Sequence, residues 1–175
     1  MCCVSCSGIR IGELKGYAEN EKNGLRQTVS SDGTVYRLGY LPPQLVYYNN
    51  EKGRNLSEAD MQAYVRETGD MPSFLLDVEI GQTASSAAGD PFRQTYENTM
   101  NTALLTLDMA GKKHRCILYH CEARGGKKYR IDLAFEVPGG LTADFSVSFA
   151  DPVTGRSPLF HFERQSILDI PQIKL

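Results

Sequence analysis

Between Ala103 and Phe149 apolar residues fall at alternate positions in four successive runs, and a period of two is the signature of strands with one buried face. The first run, Ala103 to Met109, places Ala103, Leu105, Leu107 and Met109 together. A turn through Ala110-Gly111-Lys112-Lys113 then sets Met109 against His114, Leu107 against Cys116, Leu105 against Leu118 and Ala103 against His120. The same register puts Asp108 opposite Arg115, a favourable cross-strand pair. Gly125-Gly126 suits a two-residue I′ loop, which pairs Leu118 with Leu133, Cys116 with Phe135 and His120 with Ile131. Pro138-Gly139-Gly140 is an odd-numbered loop, so Leu141, Ala143, Phe145, Val147 and Phe149 return to the face of Phe135 and Val137. Three loops agree on one buried face, and the expectation is an antiparallel meander. On the opposite face Leu104, Ile117 and Tyr119 lie among Thr106, Arg115 and Lys128, a half-covered patch and a candidate partner surface.

The rest of the chain adds strands and a helix. Asp32-Gly33 is another I′ signal; it joins Leu25–Ser31 to Thr34–Leu41 and pairs Val29 with Tyr36 and Leu25 with Tyr40. Pro42-Pro43 ends that strand, and Tyr47 and Tyr48 are expected in an extended or loop segment. Ser57 to Thr68 reads as a helix with Ser57 as N-cap, Asp60 in a capping position and an apolar stripe of Met61, Tyr64 and Val65. Phe74–Ile80 alternates again, with Asp77 and Glu79 outward. Gln82 to Asp90 is small and polar, a loop, and Phe92, Tyr96 and Met100 recur at helical spacing towards Asn101, with an extended run as the alternative because Thr95, Thr99 and Thr102 are β-branched. Pro158–Arg164 is a last strand with Phe160 and Phe162 on one side, and the tail from Ile167 is expected to cover an edge. The fold class is therefore mainly β, sandwich-like or a meander sheet, with one or two short helices. Residues 24–175 form one β-rich domain of ordinary size, and residues 1–23 a flexible lead-in.

Charge and cysteine usage restrict the function. A formal net charge of -2 argues against a nucleic-acid partner. Seven of the 19 Lys and Arg residues fall between Lys112 and Arg130, but they gather at the loop ends of one hairpin, where charge guards against edge pairing. No run is long enough to cross a bilayer as a helix. Cys116 and Cys121 lie on one strand about 16 Å apart and on opposite faces, so they are expected as free thiols. Cys2, Cys3 and Cys6 crowd the N-terminus. Cys3-x-x-Cys6 has the spacing of half a zinc site or a redox pair, yet no second ligand pair and no βαβ setting accompanies it.

Val4-Ser5-Cys6 resembles the end of a bacterial lipobox, in which small or aliphatic residues precede a cysteine that becomes lipidated. The resemblance implies export, diacylglyceryl modification of Cys6, removal of what precedes it and membrane anchoring; Cys3 stands where that family usually has leucine.

Motifs for catalysis are missing. There is no Gly-x-Ser-x-Gly, Walker or Gly-x-Gly-x-x-Gly element. His114, Cys116 and His120 share a strand face, but their expected partners Met109, Leu107 and Ala103 make them core residues and not a metal site. Asp77 and Glu79, about 7 Å apart, read as acids on a solvated face, as do Asp132 and Glu136. No catalytic residue, metal or cofactor is assigned. The reading supported first is a non-enzymatic, exported lipoprotein-type domain for binding or cell-envelope assembly. Cys6 would hold it to the membrane, in the periplasm or at the outer surface, next to an envelope partner. The second is a cytoplasmic β-rich interaction module working through Leu104, Ile117 and Tyr119, and the third a hydrolase.

Overall fold

The computed structural model describes residues 8–51, 56–81 and 92–173. Its eight strands are β1 (Arg26–Ser31), β2 (Thr34–Leu41), β3 (Ser73–Ile80), β4 (Leu105–Met109), β5 (Lys112–Gly125), β6 (Lys128–Phe135), β7 (Phe145–Phe149) and β8 (Leu159–Phe162). They form one antiparallel sheet in the spatial order β1-β2-β3-β6-β5-β4-β7-β8. The sheet curls until its two edges meet, and a side chain completes the seam. Gln27 of β1 donates from Nε2 to the His161 carbonyl of β8, and its Oε1 accepts the His161 N–H at 3.1 Å. One amide side chain thereby does for the edge what a backbone peptide does elsewhere in the ladder.

The mainly β class read from the sequence is the one observed, with five short helices among the described residues: α1 (Ile11–Glu19), α2 (Pro43–Asn50), α3 (Glu58–Glu67), α4 (Arg93–Tyr96) and α5 (Arg164–Leu168). Inward residues of every strand join one core. Phe74 is its hub, with ring centroids 5.5 to 6.0 Å from those of Tyr40, Phe135, Phe145 and Phe162, all near edge-to-face. This single ring ties β3 to strands on both sides of the barrel, and each such aromatic pair contributes about 0.5–1.5 kcal/mol beyond burial.

The meander expectation fails at its third loop. Phe145, Val147 and Phe149 do face the core, but β7 pairs with β4, as Leu107↔Val147 and Met109↔Phe145 show. The far edge of β6 is taken by β3, in the register Phe74↔Leu133 and Asp77↔Arg130. Strands β4, β5, β6 and β7 therefore make a Greek key. Loop parity fixes which face a strand presents; it does not fix which neighbour it lies against.

Two registers also differ. The first hairpin turns on Ala110-Gly111 alone, both at positive φ, so Met109 meets Lys112, Leu107 meets His114 and Asp108 meets Lys113. In the second hairpin Cys116↔Phe135 is as expected, but a bulge follows, and the next pairs are Leu118↔Ala134 and Tyr119↔Leu133. One extra residue exchanges the faces of everything beyond it. Leu118 and His120 point outward, and Tyr119 and Cys121 inward. Cys116 and Cys121 therefore both end up buried and not on opposite faces, and neither is bridged to another cysteine. The Asp32-Gly33 hairpin, by contrast, has the register read from sequence, Val29↔Tyr36.

The segment read as a flexible lead-in is folded from Ile9 onward. In α1 the Arg10 N–H donates to Glu13 at 2.7 Å, and Leu14 and Ala18, one turn apart, enter the core. Tyr17 donates to the Asp169 carbonyl at 3.2 Å, and Ile9 bridges to Ile173. Tyr47 and Tyr48 are helical, because Pro43 does not merely stop β2; it starts α2 at a first-turn position where its missing N–H costs nothing. The α3 cap is as predicted, with Ser57 Oγ accepting the Asp60 N–H at 3.1 Å.

Candidate functional site

The interior is filled by side chains, so the features that can meet a ligand lie on the outer face of the sheet. Across β1, β2, β3 and β6 that face carries a ladder of opposite charges. Asp77 accepts from Arg130 (Nε, 2.9 Å; Nη2, 3.4 Å) and from Arg26 (Nη2, 3.3 Å). Arg130 stands directly across from Asp77, whereas Arg26 must reach over the whole width of β2. Its stem runs across Gly39, where a Cβ would lie 3.9 Å from the Arg26 Cγ, in ordinary van der Waals contact. One step along, Glu79 takes Lys128 at 3.0 Å and Arg37 at 3.2 Å. These two partners, Lys128 first, hold the Glu79 carboxyl below the usual carboxylate range, and the bond to Asp77 raises Arg130.

Helices α1 and α2 rise beside this ladder and leave a cleft of about 430 Å³. Arg26, Asp77 and Arg130 form its charged floor, Lys15 and Glu19 its outer rim, and Ile11, Leu45 and Leu75 its apolar walls. Three cationic groups face two carboxylates there. Two guanidiniums share one carboxylate, so both are fixed in place while N–H donors remain for a further anion. An apolar cleft with a few convergent polar groups is the usual form of a small-molecule site.

A second groove, of about 490 Å³, lies on the other side of α2. Its walls come from α2, α3 and the bulge of β5, and Asp132 of β6 lies on the sheet side. The bulge exposes two successive apolar side chains, Ile117 at 41% and Leu118 at 49%, with Met71 nearby at 41%. The thiol of Cys116 donates across the bulge to the Leu118 carbonyl at 2.9 Å, and burial pushes that thiol up to about 11.

The residues singled out from sequence separate here. Ile117 is exposed. Tyr119, expected beside it, is buried at 6%, because the bulge turns it inward. Leu104 is half-buried in the 3-10 segment Thr99–Leu104 and not on a strand. The surface expected from Leu104, Ile117 and Tyr119 is therefore a ridge of Ile117 and Leu118. Cys6, with Val4, Ser5 and Cys3, lies outside the described residues. His114 and Cys116 are core residues, whereas His120 is exposed and 3.9 Å from Glu122. No group of three metal-ligating side chains occurs among the described residues, and no helix among them is long and apolar enough to cross a membrane. Asp77 and Glu79, read as solvated acids, are the hinge of the ion ladder; Asp132 is half-buried, and Glu136 pairs with Arg115 at 2.7 Å.

A further polar cluster is centred on a buried carboxylate. Asp151, 2% exposed, accepts from Tyr36 at 2.6 Å, Tyr96 at 2.9 Å, Thr154 at 2.7 Å and the Val153 N–H at 2.9 Å. Both tyrosines are fully buried, and the hydroxyls are pushed well above the ordinary tyrosine range, first by burial and then by the adjacent carboxylate. The cluster ties β2, α4 and the turn after β7 into one piece. It is a bolt within the fold.

In class, this is a nearly closed eight-stranded antiparallel barrel with a filled interior, and a short helix divides two of the clefts on its outer face. Comparison with known protein families, with curated proteins and with solved structures finds no match to the chain.

Proposed function

We propose that the chain is a non-enzymatic binding domain that takes an amphiphilic anion, a carboxylate with an apolar body, in the cleft beneath α1 and α2. The observation that carries this reading is the Arg26–Asp77–Arg130 floor, two guanidiniums held by one carboxylate at the base of an apolar cleft. An incoming carboxylate accepts from the free N–H groups, and its apolar body lies against Ile11, Leu45 and Leu75. Titrating the full chain with octanoate tests it by calorimetry, with octanol as the uncharged control. Octanoate is expected to bind on the order of tenfold tighter than octanol, less tightly at high salt, and Arg130→Gln or Gly39→Leu to remove that advantage. Equal binding of octanoate and octanol, or an advantage untouched by both substitutions, overturns the proposal.

Placement in a bacterial cell envelope, through a lipid on Cys6, belongs to the same proposal and is supported by Val4-Ser5-Cys6 alone. The mass of the mature N-terminus from membrane and soluble fractions tests it. A lipid-bearing Cys6 in membranes supports the anchor; an unmodified chain in the soluble fraction removes it.

A further inference from the structure

The groove on the far side of α2 has the opposite chemistry. Asp132 is the one carboxylate among its lining residues, and its side chain accepts no hydrogen bond from any described residue. Burial raises its carboxyl, as does Glu122, while His120, Arg130 and Arg124 act against the rise. None of the three is hydrogen-bonded to it. Arg130, two residues along the same face of β6, is bonded to Asp77. Arg124 pairs with Glu122 at 2.7 Å, and His120, the register partner of Asp132, lies 3.9 Å from the same glutamate.

Around this carboxylate the groove is mainly apolar, with the uncharged polar residues Asn49, Asn50, Thr68 and Ser73 also in its lining. Val46 lies on α2, Met71 before β3, and Ile117 and Leu118 on the bulge. Tyr64 adds an aromatic ring from α3. The exposed apolar side chains sit at the rim, and the half-buried charge sits within. An anion in this groove meets repulsion from Asp132, and an uncharged molecule leaves the carboxylate without a partner as it displaces water. A cation with an apolar body satisfies both parts, and the ring of Tyr64 favours it further. The volume, about 490 Å³, is in the range of small-molecule sites.

We propose that this groove binds an amphiphilic organic cation, an alkylammonium by chemical class, with Asp132 as its counter-ion. The proposal rests on a different charge from the anion cleft, because Asp132 lines this groove and not that cleft, whereas Arg26 and Arg130 line that cleft and not this groove.

The test is calorimetry on the full chain with octylammonium, octanol and octanoate, each below its micelle-forming concentration, with side-chain NMR of Met71 and Tyr64 to locate the ligand. Octylammonium is expected to bind on the order of tenfold tighter than octanol and to shift both residues. Asp132→Asn, a nearly isosteric change at an outward position, is expected to bring the two to parity, and Arg130→Gln to leave the octylammonium preference in place. Three results overturn the proposal: no octylammonium binding at millimolar concentration, binding no tighter than octanol, or a preference that survives Asp132→Asn. Loss of octanoate binding in Arg130→Gln with octylammonium binding intact separates this site from the anion cleft.

Discussion

Replacing Asp151 by alanine removes the acceptor at the centre of the buried hydroxyl cluster, and the two tyrosines around it are not affected alike. Tyr36 keeps a partner, since its hydroxyl also lies 2.8 Å from Thr154 Oγ1. Tyr96 does not; its bonds at 2.9 and 3.0 Å both go to Asp151, and the residue is fully buried. An orphaned buried hydroxyl costs about 1–3 kcal/mol, and bonds to a charged acceptor contribute about 1.5–3 kcal/mol each. Relief from burying a carboxylate without a cation offsets part of this. The expected loss for Asp151→Ala is on the order of 3–5 kcal/mol, which in a chain of this size lowers Tm by roughly 10 °C. Tyr96→Phe alone is milder, about 1–2 kcal/mol, because the carboxylate keeps three donors. In the Asp151→Ala background the same change removes the orphaned hydroxyl, so it is expected to be neutral or stabilising. That reversal of sign is the informative result. The chain has no Trp, so urea unfolding is followed by far-UV circular dichroism and tyrosine fluorescence, and the four proteins form a double-mutant cycle. A loss below about 1 kcal/mol for Asp151→Ala, or an equal cost of Tyr96→Phe in both backgrounds, refutes the reasoning.

The tyrosines also set an alkaline limit. Burial raises the hydroxyls of Tyr36, Tyr96 and Tyr119 above their ordinary range and Tyr40 to about 12. With folded values above unfolded ones, their contribution is complete below about pH 10 and is lost as pH rises beyond it. Absorbance at 295 nm is expected to show some of the nine tyrosines titrating first and the rest ionising together with unfolding; a single transition near pH 10 with intact dichroism contradicts this. At the barrel seam, Gln27→Leu removes both bonds to the His161 backbone. It is expected to cost about 1–2 kcal/mol and to speed amide exchange at His161 selectively. Unchanged exchange there means that the seam is held by other contacts.

Alternation made the inward faces of β2, β3, β6 and β7 legible, because burial on one side imposes a period of two wherever the chain runs extended. It could not supply the partner of β7, since both edges of the hairpin pair accept the same face. The bulge at Ile117 was hidden for a related reason: Ile117 and Leu118 are both apolar, so either one satisfies the pattern, and only the pairing on β6 decides. Helix α1 gave a weak signal because just Leu14 and Ala18 carry its buried face, and Gly12 and Gly16 lower its intrinsic propensity. The charged floor was illegible for a stronger reason. Arg26, Asp77 and Arg130 are 51 and 53 residues apart and become neighbours only through the β3–β6 pairing and the reach of Arg26 across Gly39.

That geometry also explains why the candidate sites lie outside the barrel. An eight-stranded barrel is just wide enough for side chains to fill it or for one small ligand to replace some of them. Here Phe74 and the four aromatic rings around it occupy the middle, and Tyr36, Tyr96 and Asp151 lock another part of the interior with their own hydrogen bonds. Recognition is left to the outer face, where β6 turns Arg130 and Asp132 outward as next-but-one neighbours. The face is divided by α2, with Leu41 and Asn49 bordering both clefts. Each charge therefore looks into a different apolar cleft. Exchanging the two, as Arg130→Asp with Asp132→Arg, is expected to weaken octanoate and octylammonium binding together, because each charge would then face a cleft whose other groups were arranged for its opposite. Retention of both affinities in the exchanged protein would show that the clefts select by shape alone.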